Sequence, residues 1–267
     1  MSLLELCYVS KEYPLRASRK TWFKTNPSVK VVKDVNLTIN KGECLALIGE
    51  SGSGKSTLAK LIMKLETVTS GQILLDGQMI NGKQVTDLTI YKRIQLVLQD
   101  SSTSLHPKMH VEEILKEPIH NYFPEQMVEW EEMFLKLLKL VGLDHSYLSR
   151  YSHQLSGGQK QRVCIAKALA VQPDLIIFDE SIASLDRDSQ ASIVNMLKHI
   201  QKKEQISYLF ITHDLQAAQT LCDQVAVMYQ GEIVETFSNW DLRQLKHPYT
   251  RSLVHILNKN SFEEKTV

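Results

Sequence analysis

The segment Gly49-Glu50-Ser51-Gly52-Ser53-Gly54-Lys55-Ser56, followed by Thr57, constrains this chain more than any other stretch. It satisfies G-x-x-x-x-G-K-[ST] in full, and chemistry sets the spacing. Glycines let consecutive backbone N–H groups curl around phosphate oxygens, and a following helix adds the positive end of its dipole. Lys55 is spaced to reach the β- and γ-phosphates, and the Ser56 hydroxyl to ligate Mg²⁺. An ordinary glycine-rich turn has no need of Lys-Ser at that offset. The motif demands a strand before it and a helix after it. Cys44 to Ile48 is a compact apolar run and Ser56 to Leu65 has helical spacing, so both demands are met.

A phosphate loop needs a Mg²⁺ ligand further along the chain. Leu175-Ile176-Ile177-Phe178-Asp179-Glu180 is four apolar residues ending in two carboxylates. A buried strand of this kind projects Asp179 from its carboxyl end toward the metal, while Glu180 is placed to polarise an attacking water.

The rest of the chain arranges itself around these two segments. Leu3 to Val9 and the alternating Val35, Leu37 and Ile39 read as early strands, with Gln72 to Leu75 and Ile94 to Leu98 after the phosphate loop. Arg16 to Lys30, polar and basic with scattered aromatics, reads as a loop or hairpin extension. Leu175 to Phe178, Tyr208 to Ile211 and Val225 to Met228 alternate with helical stretches at Ser189 to Ile200 and Leu215 to Cys222. Such alternation predicts a mostly parallel sheet covered by helices. The stretch from His110 to Leu143 is helical in pattern and lies in an inserted helical region, and the polar tail from Asn258 is expected to fray.

Composition excludes several classes. The net charge is only +1, whereas a general nucleic-acid binder carries a basic surplus. The four cysteines, at 7, 44, 164 and 222, form no metal-ligand spacing and read as free thiols. No apolar run approaches the roughly 18–20 residues that cross a bilayer, and the first residues lack a signal-peptide pattern. The expectation is a chain that is cytoplasmic by itself.

Leu155-Ser156-Gly157-Gly158-Gln159 offers a second anion receptor, a Ser-Gly-Gly turn at a helix N-terminus, although Ser156 would serve equally as a plain N-cap. With Lys160-Gln161-Arg162 after it, and standing between the phosphate loop and the Asp-Glu strand, it resembles the signature motif of ABC ATPases. The resemblance covers Leu3 to Val254. It implies a P-loop NTPase core, α/β, with a mostly parallel sheet, helices on both faces, an antiparallel β subdomain and an inserted α-helical subdomain. The expected organisation is a single ATPase domain over 1–255, with catalytic core at 1–99 and 156–240, helical subdomain at about 100–155 and a C-terminal extension at 241–267.

The resemblance also implies roles. Gln99 matches the family glutamine that senses Mg²⁺, and His213 the switch histidine that contacts the γ-phosphate. Ser156, Gly157, Gly158 and Gln159, with Asp186 closing the intersubunit loop, face ATP held by the other subunit, so hydrolysis needs a head-to-tail dimer. Tyr13 is the candidate for stacking on adenine, with Phe23 in reserve. Two positions depart from the family: Glu180-Ser181-Ile182-Ala183-Ser184-Leu185-Asp186 replaces the commoner Glu-Pro-Thr-Ser-Ala-Leu-Asp, and Lys167 stands where arginine is usual.

Gln99-Asp100-Ser101-Ser102-Thr103-Ser104-Leu105-His106-Pro107 and Lys246-His247-Pro248-Tyr249-Thr250-Arg251 resemble the peptide and nickel importers within that family. Gln161-Arg162-Val163-Cys164 and Gly231-Glu232-Ile233-Val234-Glu235-Thr236 look most like the second ATPase subunit of nickel importers. The expected function is hydrolysis of ATP, with Mg²⁺, to energise uptake of nickel, free or chelated, and alternatively of oligopeptides or other metal chelates. The implied partners are a second, different ATPase subunit, two membrane permeases and an extracytoplasmic binding protein, at the cytoplasmic face of the membrane. The groove around Gln99 to Glu117 is expected to receive a permease helix. No cysteine follows Cys222, so no iron–sulfur cluster is expected near the C-terminus. Non-transport ABC ATPases carry paired cassettes or long coiled coils, which 267 residues with one phosphate loop do not accommodate. A kinase or GTPase would leave the Ser-Gly-Gly turn and His213 unexplained.

Overall fold

All five residues of Cys44–Ile48 (β3) are buried, because neighbours flank the strand on both sides and layers cover both its faces. A computed structural model describes residues 1–14, 28–82, 85–99, 104–123, 130–238, 240 and 244–263 of the chain. In it β3 pairs in parallel with Ser207–Ile211 (β8) and Gln224–Tyr229 (β9). The sheet continues from β8 to Leu175–Asp179 (β7) and Ile94–Val97 (β6), again in parallel. Glu232–Phe237 (β10) closes the other edge against β9 as the single antiparallel member, giving the order β10-β9-β3-β8-β7-β6.

A second sheet is wholly antiparallel. Ser2–Pro14 (β1) pairs with Ser28–Asn40 (β2) and with Ser70–Leu75 (β4), which in turn pairs with the short Gln78–Met79 (β5). Alternation in β2 does what the sequence pattern predicts: Val35, Leu37 and Ile39 point inward and their neighbours outward. Ser28 to Lys30 belong to this strand, whereas Phe23 and most of the Arg16–Lys30 segment lie outside the described residues.

The helices are Lys55–Ile62 (α1), Asp87–Arg93 (α2), Val111–Tyr122 (α3), Trp130–Leu140 (α4), Gly157–Leu169 (α5), Arg187–Glu204 (α6), Leu215–Leu221 (α7) and Pro248–Glu263 (α8). Alternate residues of each central strand enter opposite cores. Leu45, Leu47, Ile177 and Leu209 meet α1 and the antiparallel sheet on one face. Ala46, Ile176, Phe178, Tyr208 and Phe210 meet α5, α6 and the α3–α4 pair on the other. The α/β class with an antiparallel accessory sheet is therefore as expected from the sequence. Phe178 anchors the second core, edge-on to Tyr208 at 5.2 Å and Phe210 at 6.1 Å between centroids.

Four features differ from expectation. α2 and β10 carried too short or too mixed a pattern to be read. The tail expected to fray from Asn258 is helical to Glu263. The helical stretch His110 to Leu143 resolves into two helices. Finally, Cys44 and Cys222, remote in sequence, face each other in the core, where burial pushes the Cys44 thiol far above its ordinary pKa. None of the four cysteines forms a disulfide.

Truncating Phe178 leaves an aromatic-sized void between buried rings. Phe178→Ala should lower unfolding stability by about 3–5 kcal/mol, read as a reduced urea midpoint at unchanged m-value.

Candidate functional site

The carboxyl ends of β3, β7, β8 and β9 converge at one edge of the parallel sheet, where such folds place their ligands. The phosphate loop leaves β3 there. Gly49 has φ +157°, and a Cβ on it would stand 2.2 Å from the Met228 carbonyl oxygen at the end of β9. Gly54 has φ +110° and would collide with the Val31 carbonyl at 2.8 Å. These two contacts, rather than flexibility in general, explain why the loop needs glycine there. The loop is pinned again where the Gly231 N–H, in the β9–β10 turn, donates to the Ser53 carbonyl at 3.0 Å.

Lys55 begins α1 and is only 5% exposed. Its ammonium donates to the Gly49 and Glu50 carbonyls at 2.7 and 2.8 Å, leaving one of its three donors for a phosphate oxygen. Burial lowers its pKa, and the charges of Glu180, Asp179 and Glu50 oppose that shift. Ser53 Oγ is buried without a partner, a polar atom that a phosphate oxygen inside the loop would satisfy.

Ser56 Oγ donates to Asp179 Oδ1 at 3.2 Å. Burial raises the Asp179 pKa, with the Ser56 hydrogen bond acting the other way. A hydroxyl and a half-buried carboxylate side by side are the hard oxygen donors that Mg²⁺ takes, so the residues present fit that ion.

Glu180 follows directly in the left-handed region, at φ +48°, a strained conformation for a residue with a side chain. Its N–H donates to the Ile211 carbonyl at 3.0 Å, so the β7–β8 ladder continues one residue beyond the strand and fixes the turn. Glu180 Oε2 lies 3.9 Å from His213 Nδ1, and His213 is 57% exposed at its side chain. Asp214 caps α7 immediately after it, accepting from the Gln216 and Ala217 N–H groups at 2.8 and 3.0 Å. Val97 of β6 pairs with Phe178, so Gln99, two residues beyond, emerges exposed on the same edge as the carboxylates.

The Ser-Gly-Gly turn caps α5. Ser156 Oγ accepts the Gln159 N–H at 3.3 Å, and Gln159 Oε1 accepts the Ser156 N–H at 2.9 Å. Gln159 also donates to the Tyr147 hydroxyl at 2.9 Å. Ser156 and Gly157 are exposed. Added Cβ atoms on Gly157 and Gly158 would stand 3.4 Å from Leu185 Cδ2 and 3.2 Å from Ser189 Oγ. The turn thus sits against the start of α6, which Asp186 caps by accepting the Ser189 N–H at 2.9 Å. The Ser189 side chain, and after it this N–H, hold the Asp186 carboxyl below its ordinary pKa. Among the described residues no hydrogen bond joins this turn to the phosphate loop. Lys167, the departure from arginine, pairs with Glu117 of α3 through one contact at 2.8 Å.

Tyr13 lies near the end of β1, half-buried. Its hydroxyl donates to the Glu66 carboxylate, and Lys11 Nζ stands 4.9 Å from its ring centroid. Burial and Glu66 push the phenol up to about 12. Asp100 to Thr103 lie outside the described residues. Sequence reasoning missed two contacts on the loop, the Gly231 turn and the Tyr249 hydroxyl, which accepts the Glu50 N–H at 3.0 Å. In the sequence Tyr249 stands out only as part of a shared motif.

The two loop glycines that differ most in surroundings make the geometry testable. Gly49→Ala drives a methyl into a backbone carbonyl and should abolish ATP binding. Gly52→Ala, at φ +81° with nothing within 4 Å, should cost about 1–2 kcal/mol of conformational energy and keep measurable binding by calorimetry.

Comparison with known proteins fits this geometry. The family model described as ABC transporter matches residues 32–183. The probable peptide ABC transporter ATP-binding protein y4tS of Sinorhizobium fredii is 42% identical over 257 residues, covering 95% of this chain and 72% of its own. The oligopeptide transport ATP-binding protein AppF of Bacillus subtilis is 39% identical over 256 residues, covering 95% and 77%. Among solved structures, the dimeric post-hydrolysis state of the ATP-binding cassette MJ0796, bound to ADP and Pi, is 28% identical with a TM-score of 0.72, covering 88% of this chain and 98% of that one.

Proposed function

The chain belongs to the ABC transporter family, as an ATP-binding subunit that couples ATP hydrolysis to transport, and from that premise we propose that it energises peptide uptake. The reading rests on the peptide-transport names of relatives that align along almost the whole chain. Those names carry no nickel, so the oligopeptide alternative displaces nickel as the cargo proposed here. Nothing in the geometry of the site selects a cargo, so the choice rests on the relatives.

The observation that carries the catalytic proposal is the meeting of Lys55, Ser56, Asp179, Glu180 and His213 at one sheet edge. The phosphate loop, Gly49 to Ser56 with Thr57, receives the triphosphate, and Lys55 neutralises its developing charge. Ser56, Asp179 and Gln99 would hold Mg²⁺, which would supply Lewis-acid neutralisation of the phosphate charge. Glu180 orients and polarises the attacking water, and its strained backbone fixes that carboxylate relative to the metal ligands. His213, 3.9 Å from Glu180, contacts the γ-phosphate and helps keep the carboxylate oriented. Tyr13 stacks on adenine.

The Ser156-Gly157-Gly158-Gln159 turn, exposed at Ser156 and Gly157 and backed by Asp186, faces ATP bound to a second ATPase subunit, and a heterodimer is the form proposed. Two permeases and an extracytoplasmic binding protein complete the assembly at the cytoplasmic face of the membrane, with a permease helix in the groove around Gln99 to Glu117. Residues 1–99 and 156–240 serve as catalytic core, about 100–155 as the helical arm and 241–267 as an extension. Among the described residues no helix is long and apolar enough to cross a membrane.

Glu180→Gln keeps size and hydrogen bonding but removes the carboxylate charge. It should lower turnover at least about a hundredfold while ATP still binds, read by single-turnover hydrolysis against nucleotide retention. Undiminished hydrolysis would remove Glu180 from this role. Radiolabelled peptide uptake in cells carrying wild-type protein or Glu180→Gln tests the cargo. Uptake lost with the variant and restored by wild type supports peptides, whereas unchanged peptide uptake would return the cargo to a metal or its chelate.

A further inference from the structure

The Lys246-His247-Pro248-Tyr249-Thr250-Arg251 segment takes no part in the chemistry above, yet it is tightly docked. The Lys246 and His247 N–H groups donate to the Glu235 carboxylate of β10 at 2.7 and 3.2 Å. Arg251 Nε donates to the Leu245 carbonyl at 2.6 Å. Leu245, Thr250, Leu253 and Val254 are buried, so the first turns of α8 are held on the β9–β10 side of the sheet.

This docking delivers Tyr249 to the phosphate loop. Its ring stacks on Tyr229, the last residue of β9, at 4.0 Å between centroids and 29° between planes. Its hydroxyl accepts the Glu50 N–H at 3.0 Å. That N–H shares its peptide with the Gly49 carbonyl, which accepts the Lys55 ammonium at 2.7 Å, and the Glu50 carbonyl accepts it at 2.8 Å. One residue of the loop therefore links the phenol to the cation expected to grip the phosphates. From the other side, the Gly231 N–H holds the Ser53 carbonyl. Both outside restraints come from the β9–β10–α8 unit, and they bracket the loop at its second and fifth residues.

We infer that Tyr249 is a positioning residue for nucleotide binding: its hydroxyl holds the Glu50 peptide, and through it Lys55, in the arrangement that receives the phosphates. The inference rests on the phosphate-loop reading above. It makes the C-terminal helix a determinant of ATP affinity. A displaced α8 would free the Glu50 peptide to rotate, and the entropy of ordering the loop would then be charged to binding.

Tyr249→Phe removes the hydroxyl and keeps the ring stacked on Tyr229. Calorimetry of ATP with Mg²⁺ on the full chain should show affinity weakened roughly 2- to 10-fold, the range that one lost hydrogen bond supports. The melting temperature without nucleotide should stay within a degree or two. In the assembled transporter KM for ATP should rise by a similar factor at unchanged kcat. Tyr249→Leu, which loses hydroxyl and stacking together, should weaken binding at least as much. Wild-type affinity in Tyr249→Phe would overturn the inference. So would an affinity loss matched by a fall in melting temperature, which would mark the tyrosine as packing alone. Lys55→Ala separates the two levels. If it loses ATP binding while Tyr249→Phe does not, only the role of Tyr249 fails. If it too keeps full affinity, the phosphate-loop reading fails with it.

Discussion

Parallel hydrogen bonding of β3 to β8 and β9, and of β8 to β7, fixes where Lys55, Ser56, Asp179, Glu180 and His213 can stand. Parallel strands end together, so the turns that leave them share one edge. Leu47 pairs with Ile211 and Asp179 pairs with the same Ile211, which places the start of the phosphate loop and the carboxylates two strands apart across β8. A slip of one residue in either ladder would turn the alternating core residues to the wrong faces as well as displacing Asp179. The register that fills both cores is thus the register that assembles the site.

Assembly at that edge concentrates unfavourable terms. Asp179 is partly desolvated beside Glu180, Lys55 is almost wholly buried, and Glu180 occupies a left-handed backbone conformation. Each is costly in isolation. Together the costs offset one another in part, because the Lys55 charge lies among three carboxylates and the Glu180 N–H extends the β7–β8 ladder. The remainder is carried by the buried strands beneath, of which β3, β8 and most of β7 are sealed from water. Strain and partly compensated charge gathered at one sheet edge are the form that preorganised electrostatics takes.

How much of this could be read from residues alone follows from how local each signal is. The phosphate loop, the Asp179-Glu180 strand end and the Ser-Gly-Gly turn with Ser156 as N-cap are written in consecutive residues, and their placement on elements followed from the apolar patterns beside them. The α/β class followed from the alternation of those runs with helical stretches. What stayed hidden was set by contacts across the chain. β10 is an edge strand with mixed exposure, so its pattern lacks the continuous apolar run of its neighbours. The pairing of Cys44 with Cys222 and the approach of Met228 to Gly49 join residues nearly 180 positions apart. No local spacing encodes them.

Tyr249 shows the same limit from the functional side. Its motif is legible as a string of residues, but its meaning depends on Glu235 holding the preceding backbone and on Tyr229 offering a ring at the end of β9. An aromatic at that position has no intrinsic preference for a phosphate loop. Geometry confers the role, because β9 ends beside Gly49 and its hairpin partner β10 brings the chain back with α8 to follow. Any segment docked on that hairpin is within reach of the loop. The sheet edge that gathers the proposed catalytic groups therefore also decides which distant part of the chain can reach them.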